Sequence, residues 1–215
     1  MRLFLGLAFA ALLAACATVP AGIHLVAQSK RELDESSVCC MTLAEAKRTR
    51  LPIEKTQVVL DKTAQVFDFG GTKAFFVLYE LPAYSKPYSI QITSVPSGGL
   101  NDTALLIPRI TIYDDDFKPT RFFDEKTLRN RGNTLERTVF INPQNIHERS
   151  IAIFGSDLSA SIERTYSMVT VTPIVAGPLI FNMYGGHDGK STLRSSPTGI
   201  LQLEVQGLSV ESAPK

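Results

Sequence analysis

Hydrophobic and polar residues alternate with a period of two along several short stretches of the chain. The segments 89–93 and 109–113 each place isoleucine at two alternate positions, and the segment 201–205 alternates Leu, Leu and Val with Gln and Glu. Successive side chains of a β-strand point to opposite faces, so this spacing puts the apolar residues on one side. The pattern predicts strands that each have one buried face.

Turn-forming residues separate these strands. Gly70-Gly71 precedes the segment 75–81, which is apolar on both faces, as is typical of a central strand covered on both sides. Many short strands with turn signals between them predict a mainly β fold: an antiparallel β-sandwich, jelly-roll-like, with one or two short helices. The candidate strands are 56–60, 65–69, 74–81, 88–95, 108–113, 137–141, 150–155, 165–172 and 200–206.

A short helix is predicted before the sheet, at 42–47. Thr42 and Glu45 have the spacing of a capping box, in which each side chain bonds to a backbone N–H at the start of the helix. Basic residues follow at 47–50, where the helix dipole favours cations, and Pro52 stops the helix.

The N-terminus has the features of a bacterial export signal. Arg2 is followed by an apolar run, 3–15, that is shorter than the ~20 residues of a membrane-spanning helix. The run ends in Leu-Ala-Ala directly before Cys16, which resembles the lipobox of bacterial lipoproteins. That resemblance implies cleavage before Cys16 and lipid on this residue, with Ala17 favouring the outer membrane. The alternative is an ordinary signal peptide with an incidental cysteine.

These features divide the chain into four parts. Residues 1–15 are the signal peptide, and residues 16–37 are a lipid-anchored tether, partly ordered at best and without an apolar stripe. Residues 38–207 are the β-sandwich domain, and residues 208–215 are a loose polar tail. Because several acyl chains anchor firmly, we expect a periplasmic protein held on the inner leaflet of the outer membrane.

Cys39 and Cys40 are adjacent in the sequence. Consecutive Cα atoms are about 3.8 Å apart, whereas disulfides favour roughly 4.4–6.8 Å. We interpret the pair as two thiols, one of them buried, that pack at the edge of the domain. The alternative is a redox pair or an intermolecular link.

Charge and residue spacing argue against several classes of function. Lys and Arg number 22 against 21 Asp and Glu, so net charge does not draw the protein towards nucleic acid. The three histidines lack metal-ligand spacing, and no nucleophile motif is present. We therefore expect no catalytic residue, metal or cofactor, and no nucleic-acid partner. The acidic run 114–116 is interpreted as a polar turn that ends a strand. The alternative is a Ca²⁺ site formed by the three carboxylates.

Several segments carry a family signature. They are KAFFVLYELP at 73–82, YSIQITS at 88–94, IPRITIYD at 107–114, PTRFF at 119–123, TGILQLEV at 198–205 and the cysteine pair at 39–40. Together they resemble the maltose operon periplasmic protein family over roughly two-thirds of the chain. The resemblance implies an envelope protein linked to the use of maltose or maltodextrin, with no catalytic residues to carry over.

Candidate ligand residues are few. Proteins usually hold saccharides with aromatic faces and hydrogen-bonding side chains, and this chain has no Trp. Tyr84 and Tyr88, beside the 82–87 loop, and Tyr184 are the candidate platforms; the alternative is that they lie on a sheet surface or rim. The Gly-rich segment 184–190 is interpreted as a flexible surface loop in which His187 and Asp188 are candidate hydrogen-bonding groups.

Two functions remain open at this point. In the first, the protein is a non-enzymatic lipoprotein accessory to maltose or maltodextrin transport, acting as a binding or adaptor module. In the second, it is a structural or assembly lipoprotein of the outer membrane that binds another envelope protein and has no sugar affinity. A concave aromatic patch that contains one of the three tyrosines favours the first, and a flat apolar patch favours the second.

Overall fold

A computed structural model describes residues 21–99, 102–156 and 158–208. The signal peptide 1–15, the lipidation residue Cys16 and positions 209–215 of the tail lie outside the described residues. Helix α1 is Ala21–Glu35, and single 3-10 turns are formed by Leu43–Glu45, Glu125–Thr127 and Pro143–Asn145. The strands are β1 (Arg48–Arg50), β2 (Thr56–Leu60), β3 (Gln65–Asp68), β4 (Lys73–Glu80), β5 (Tyr88–Val95), β6 (Ser97–Gly99), β7 (Asp102–Leu105), β8 (Pro108–Tyr113), β9 (Pro119–Phe123), β10 (Arg129–Arg131), β11 (Thr134–Ile141), β12 (Ser150–Gly155), β13 (Ser161–Ala176), β14 (Leu179–Ser195) and β15 (Gly199–Gln206).

Two sheets form the body of the protein. The first has the order β1-β4-β12-β8-β9, with β3 also paired to β4, and the second has the order β10-β11-β5-β15-β2. Their pairs are antiparallel except β1 with β4. The mainly β, sandwich-like fold predicted from the alternation is confirmed. A third sheet, of order β13-β14-β7-β6, extends from this body.

The core lies between the two sheets of the sandwich. The strand register places Ile110 opposite Ile153 in one sheet and Ile90 opposite Val139 in the other, and all four side chains are fully buried. Burial of apolar surface contributes about 25 cal/mol per Å², so these matched rows hold the sheets together. The isoleucines at alternate positions in β5 and β8 therefore form the core, as their spacing predicts.

Strand β4 is covered on both faces, which confirms the prediction of a central strand. Phe75 packs in the core between the sheets, and Phe76 packs on the outer face, where Leu43 and Ala46 cover it. Gly70 and Gly71 both adopt positive φ in the turn before β4, a conformation that glycine takes without steric cost.

Every candidate strand from the sequence corresponds to an observed strand, but several observed strands have no counterpart in the alternation. These additional strands are β1, β6, β7, β9, β10 and β14. Most of their sequences are short or rich in Gly, Pro and Arg, and the sequence of β14 is interrupted by glycines that indicate a loop.

The interpretation of residues 16–37 as a loose tether is wrong for Ala21–Glu35, which forms α1. The helix lies against the body: Leu33 is 4% exposed, and the Ser29 hydroxyl is 2.6 Å from that of Thr198. The sequence lacks a recognisable stripe because the helix buries few residues, and tertiary contact stabilises it more than its pattern indicates.

The helix predicted at 42–47 is shorter than expected. Only Leu43–Glu45 forms a 3-10 turn, and the Thr42 hydroxyl donates to the Glu45 carboxylate instead of accepting from a backbone N–H. The N–H of Lys47 then donates to the side chain of Gln65 at 2.6 Å, which directs the chain into β1. The next residues accordingly form the strand Arg48–Arg50, ahead of Pro52.

Candidate functional site

Strands β13 and β14 form a long hairpin that turns at Gly177-Pro178. They contain 16 and 17 residues. Their pairing runs without a break from the pair Ser161–Arg194 at the base to the pair Ala176–Leu179 at the tip. At about 3.3 Å per residue, the hairpin is roughly 50 Å long. Every residue in the range 167–188 whose exposure is described is exposed. The outer part at residues 167–187 is called the distal hairpin below.

The base of the hairpin is fixed to the sandwich. Leu193 is fully buried with Leu105, Ile107 and Leu135, and Ile162 packs against the same cluster. Residues 193–195 of β14 also pair in parallel with 103–105 of β7. The base of the hairpin is therefore held to the sandwich by both apolar packing and strand pairing.

Glycine at position 189 has a packing role within the hairpin. It lies directly opposite Tyr166 in the register, and a Cβ atom at Gly189 would be 2.5 Å from Cζ of that ring. An aromatic ring that covers a glycine on the neighbouring strand is a recognised way to stabilise a paired strand. The interpretation of 184–190 as a flexible loop is therefore wrong: the segment lies inside β14.

Both faces of the distal hairpin are apolar. Directly paired residues share a face, so Ile174 and Phe181 lie on one side while Val171 and Tyr184 lie on the other. The exposed large hydrophobic side chains here are Met168, Val169, Val171, Ile174, Val175, Leu179, Ile180, Phe181, Met183 and Tyr184, with exposed fractions from 41% to 73%.

The same part of the chain has no formal charge. Residues 165–187 contain no Asp, Glu, Lys or Arg, and the charges resume at Asp188 and Lys190 on β14 and at Glu163 and Arg164 on β13. The Ser167 hydroxyl donates to the Asp188 carboxylate across the strands, which marks the boundary between the polar base and the apolar tip. Large uncovered apolar patches on soluble proteins mark interaction sites.

A second feature is an aromatic cleft of about 730 Å³ on the outer face of the first sheet. The rings of Phe69 and Phe154 stack with centroids 3.8 Å apart, and Phe122 is 57% exposed. The cleft offers a ligand mainly apolar surface. The Asp68 carboxylate at its rim already accepts a hydrogen bond from the Gly71 N–H. The remaining lining includes Thr42, Leu43, Ala44, Phe67, Gly70, Thr111, Tyr113, Asp116, Phe117 and Pro119.

The residues predicted as ligand platforms do not come together. Tyr88 is 4% exposed and its hydroxyl donates to the Pro82 carbonyl, so the ring has no free face for a ligand. Burial raises the pKa of Tyr88 to about 12, with the Glu148 carboxylate adding to the shift. Tyr84 packs partly against the core beside a shallow cleft with Ile146 and Arg149.

The other three candidates lie on β14. Tyr184 is 70% exposed on the distal hairpin, and its partner in the register is Val171. His187 lies opposite Met168, and Asp188 lies opposite Ser167. Because neighbouring strand residues point to opposite faces, His187 and Asp188 do not form one hydrogen-bonding edge.

Cys39 and Cys40 are joined by a disulfide. The interpretation of this pair as two free thiols is corrected: adjacency in the chain did not prevent the bond. Cys40 is half-buried and packs beside Leu43, on the segment that borders the aromatic cleft.

The acidic run 114–116 forms the turn that was expected. The Asp114 carboxylate accepts from the N–H groups of Asp116 and Lys118, at 3.1 and 2.8 Å. Asp115 pairs with Arg149 at 3.1 Å. These contacts explain the three acidic residues by local structure, between β8 and β9.

One buried carboxylate is fully engaged in structure. The Glu148 side chain is 1% exposed and pairs with Arg121 at 2.6 Å, and it also accepts from Thr120 and Asn145. This cluster ties the 142–149 segment to β9. Nearby, the Arg137 guanidinium lies over the Phe123 ring at 5.3 Å, and burial, reinforced by Arg129, lowers the pKa of Arg137.

The candidate interaction surfaces differ from the residues that the sequence indicated. An uncharged stretch at 165–187 is visible in the sequence, and it indicates the distal hairpin once its second half is understood as a strand. The cleft has no comparable signal, because its rings come from β3, β8, β9, β12 and the turns between strands.

Among residues 21–99, 102–156 and 158–208, no helix has the length and hydrophobicity to span a membrane, and no group of three or more acidic, His or Cys side chains is placed to hold a metal ion. Comparisons of the chain with protein-family models, with curated proteins and with solved structures find no match.

Proposed function

We propose that this protein is a non-enzymatic lipoprotein of the bacterial envelope that binds another envelope protein through the distal hairpin. The supporting observation is the distal hairpin itself: an uncharged, two-sided apolar surface on an anchored base. An apolar surface of this kind is stable in water only when something covers it for part of its lifetime.

The alternative of a sugar module is less well supported at the predicted tyrosines. Saccharide binding needs aromatic faces that converge with hydrogen-bonding groups, whereas Tyr88 is buried and Tyr184 lies on the distal hairpin. A flat apolar surface is what a protein-binding role requires, and the tip of the hairpin provides it.

The proposed address is the inner leaflet of the outer membrane, with lipid on Cys16. The Leu-Ala-Ala-Cys sequence at 13–16 supports it. Replacing Cys16 with Ser is expected to release the protein from the membrane fraction into the soluble fraction. Unchanged retention in the membrane fraction would contradict the lipid anchor.

Cross-linking in cells tests the protein-binding role. A photoreactive phenylalanine analogue at Tyr184 is expected to give a defined adduct with a second protein molecule of the envelope, either a different protein or another copy of this chain, identified by its mass. The matched control is the same analogue at Phe140, which is 58% exposed on β11 of the sandwich. Equal adducts at both positions, or none at Tyr184, would refute binding through the hairpin.

A specific observation keeps carbohydrate binding as a second candidate. The aromatic cleft is concave and presents the exposed ring of Phe122, and the resemblance to the maltose operon periplasmic protein family points to maltodextrin. If sugar binds there, maltodextrin raises the melting temperature of the chain. Phe122→Ala should abolish that rise, and Phe140→Ala, at an equally exposed phenylalanine, should preserve it. The absence of any shift with maltodextrins would remove this candidate.

A further inference from the structure

The two edges of the distal hairpin differ in their protection against strand pairing. Proline cannot donate to a ladder of hydrogen bonds, and in sheets it occurs where its nitrogen faces an open edge. Pro173 lies in β13 opposite Asn182, so it blocks the outer edge of β13 near the tip. β14 has no proline between Leu179 and His187.

The outer edge of β14 is also uncovered and uncharged over that window. Its described pairing with β7 is confined to 193–195, and Asp188 and Lys190 lie nearer the base. Proteins usually blunt an edge strand with charge, proline, a bulge or short length. The segment 179–187 has no charged residue and no proline, and its register with β13 is regular. It is therefore a template for one more strand.

The backbone of this edge argues against lipid as the covering partner. Unpaired N–H and C=O groups cost several kcal/mol each in hydrocarbon, and for this reason open sheet edges are not found in membranes. A partner strand satisfies those groups and places its own side chains beside the apolar side chains of β14 on each face of the extended sheet. This mode of recognition is strand addition.

The side chains and charge of the edge strand suit a second copy of the chain. Its large apolar side chains are 54% to 70% exposed, and antiparallel pairing with an identical strand places apolar residues beside apolar residues; they are Leu179, Ile180, Phe181, Met183 and Tyr184. The surface carries no charge of either sign, so it encodes no electrostatic preference for a different protein and no repulsion against itself.

We infer that two copies of this chain associate through their β14 strands at 179–187, forming a continuous sheet across a two-fold axis. An antiparallel pair of identical strands satisfies that symmetry, because the same patch is used on both subunits. This inference rests on the proposed role of the hairpin as a protein-binding surface and names the partner. Pairing along β13 is disfavoured by Pro173.

Cysteine cross-linking of the full chain in isolated membranes tests the inference. Asn182→Cys places a thiol on the free edge of β14, and a short bifunctional thiol reagent is expected to produce a covalent homodimer. Thr138→Cys, at an exposed position of β11, is the matched control, and Thr172→Cys probes the β13 strand. We expect at least tenfold more homodimer from Asn182→Cys than from Thr138→Cys, and an intermediate or low yield from Thr172→Cys.

A second substitution confirms that the contact is apolar. Phe181→Lys added to Asn182→Cys is expected to lower the homodimer yield at least tenfold, whereas Phe140→Lys, at a phenylalanine of similar exposure, is expected to leave it unchanged. Equal yields from Asn182→Cys and Thr138→Cys, or no effect of Phe181→Lys, would overturn the inference.

Two other occupants give distinct results that also overturn it. An adduct at Asn182→Cys with a mass other than that of two copies means that a different protein covers the hairpin; the proposed function then stands and self-association fails. A thiol at position 182 that is shielded from a membrane-impermeant maleimide, without any cross-link, means that a second copy does not cover the edge, and self-association fails. If the photoreactive analogue at Tyr184 also gives no protein adduct, lipid covers the hairpin and both proposals fail.

Discussion

The sandwich and the distal hairpin use similar strand sequences with opposite results. In β5, Ile90 and Ile92 alternate with polar residues and are fully buried, whereas Val169 and Val171 alternate with threonine in β13 and are 73% and 49% exposed. The difference lies outside the strand: β5 faces a second sheet, and the distal hairpin faces none. Alternation therefore reports that a strand has an apolar face, and only the tertiary layer decides whether that face is covered.

The edges of the two regions differ in the same way. Strands β1 and β10 are three residues long, read RTR and RNR, and are exposed throughout. Short length and arginine are protections against unwanted pairing. The outer edge of β14 has neither over 179–187, so these two sandwich edges are protected whereas one edge of the hairpin is open.

The largest test of this comparison is removal of a core ring. Phe75 is fully buried between the sheets, and Phe75→Ala should lower the free energy of unfolding by about 3–5 kcal/mol, because it creates a cavity as well as losing apolar burial. Urea unfolding of the Cys16→Ser chain measures the change. A loss below about 1 kcal/mol would mean that the sandwich core is loosely packed.

The sandwich should also lose stability at alkaline pH through Tyr88. Its pKa is about 12 in the folded protein, against 10.0 as the ordinary value, so the unfolded chain loses the proton first. The stabilisation is complete below pH 10 and disappears as the pH rises through 12, a loss of roughly 3 kcal/mol.

Tyr88→Phe isolates this contribution from those of other tyrosines. The free energy of unfolding of wild type minus that of the variant should be nearly constant up to pH 10 and should fall between pH 10 and 12. Urea midpoints across this range provide the measurement. A difference independent of pH would show that the Tyr88 hydroxyl is in contact with water.

A buried ion pair gives the next effect. Glu148→Ala removes the carboxylate that pairs with Arg121 and leaves the partly buried Arg121 guanidinium without its ionic partner. We therefore expect a loss of about 2 kcal/mol in the free energy of unfolding. Asp115→Ala, which breaks the exposed pair with Arg149, is the control and should change it by less than about 0.5 kcal/mol. Equal effects would remove the distinction between buried and exposed pairs.

The smallest effect on stability is expected in the distal hairpin. Phe181 is 54% exposed, and Phe181→Lys should change the free energy of unfolding of the monomer by no more than about 0.5 kcal/mol. The measurement is made at the lowest protein concentration that gives a signal, where association does not contribute. A loss above about 1 kcal/mol would show that the body of the same chain already covers this ring.

The sequence predicts the sandwich well because its signals are local. The alternation in β5, β8 and β15 and the two-sided apolar strand β4 require only that one or both faces meet another layer. The turns at 70–71 and 114–116 are likewise determined by the residues within them. These elements agree in propensity, pattern and burial, which is the condition under which sequence reasoning succeeds.

The candidate functional surfaces depend on contacts that the sequence does not display. Gly185, Gly186 and Gly189 indicate a loop, but cross-strand pairing and the Tyr166 ring make this segment part of β14. Tyr88 has the sequence context of a rim residue and is buried by its pairing with Ile141. Helix α1 forms against the body with few buried side chains, so its pattern is weak.

The docking of α1 changes how far the protein extends from its proposed lipid anchor. A free segment 16–37 could span roughly 75 Å, whereas only residues 17–20 separate Cys16 from Ala21, a reach of less than about 20 Å. The body would thus stand beside the bilayer and move mainly within its plane. In the proposed pairing, the encounter of two hairpins would then be a two-dimensional search among molecules in one leaflet, in which the local concentration of the chain, more than the strength of a single contact, would determine how often β14 is covered.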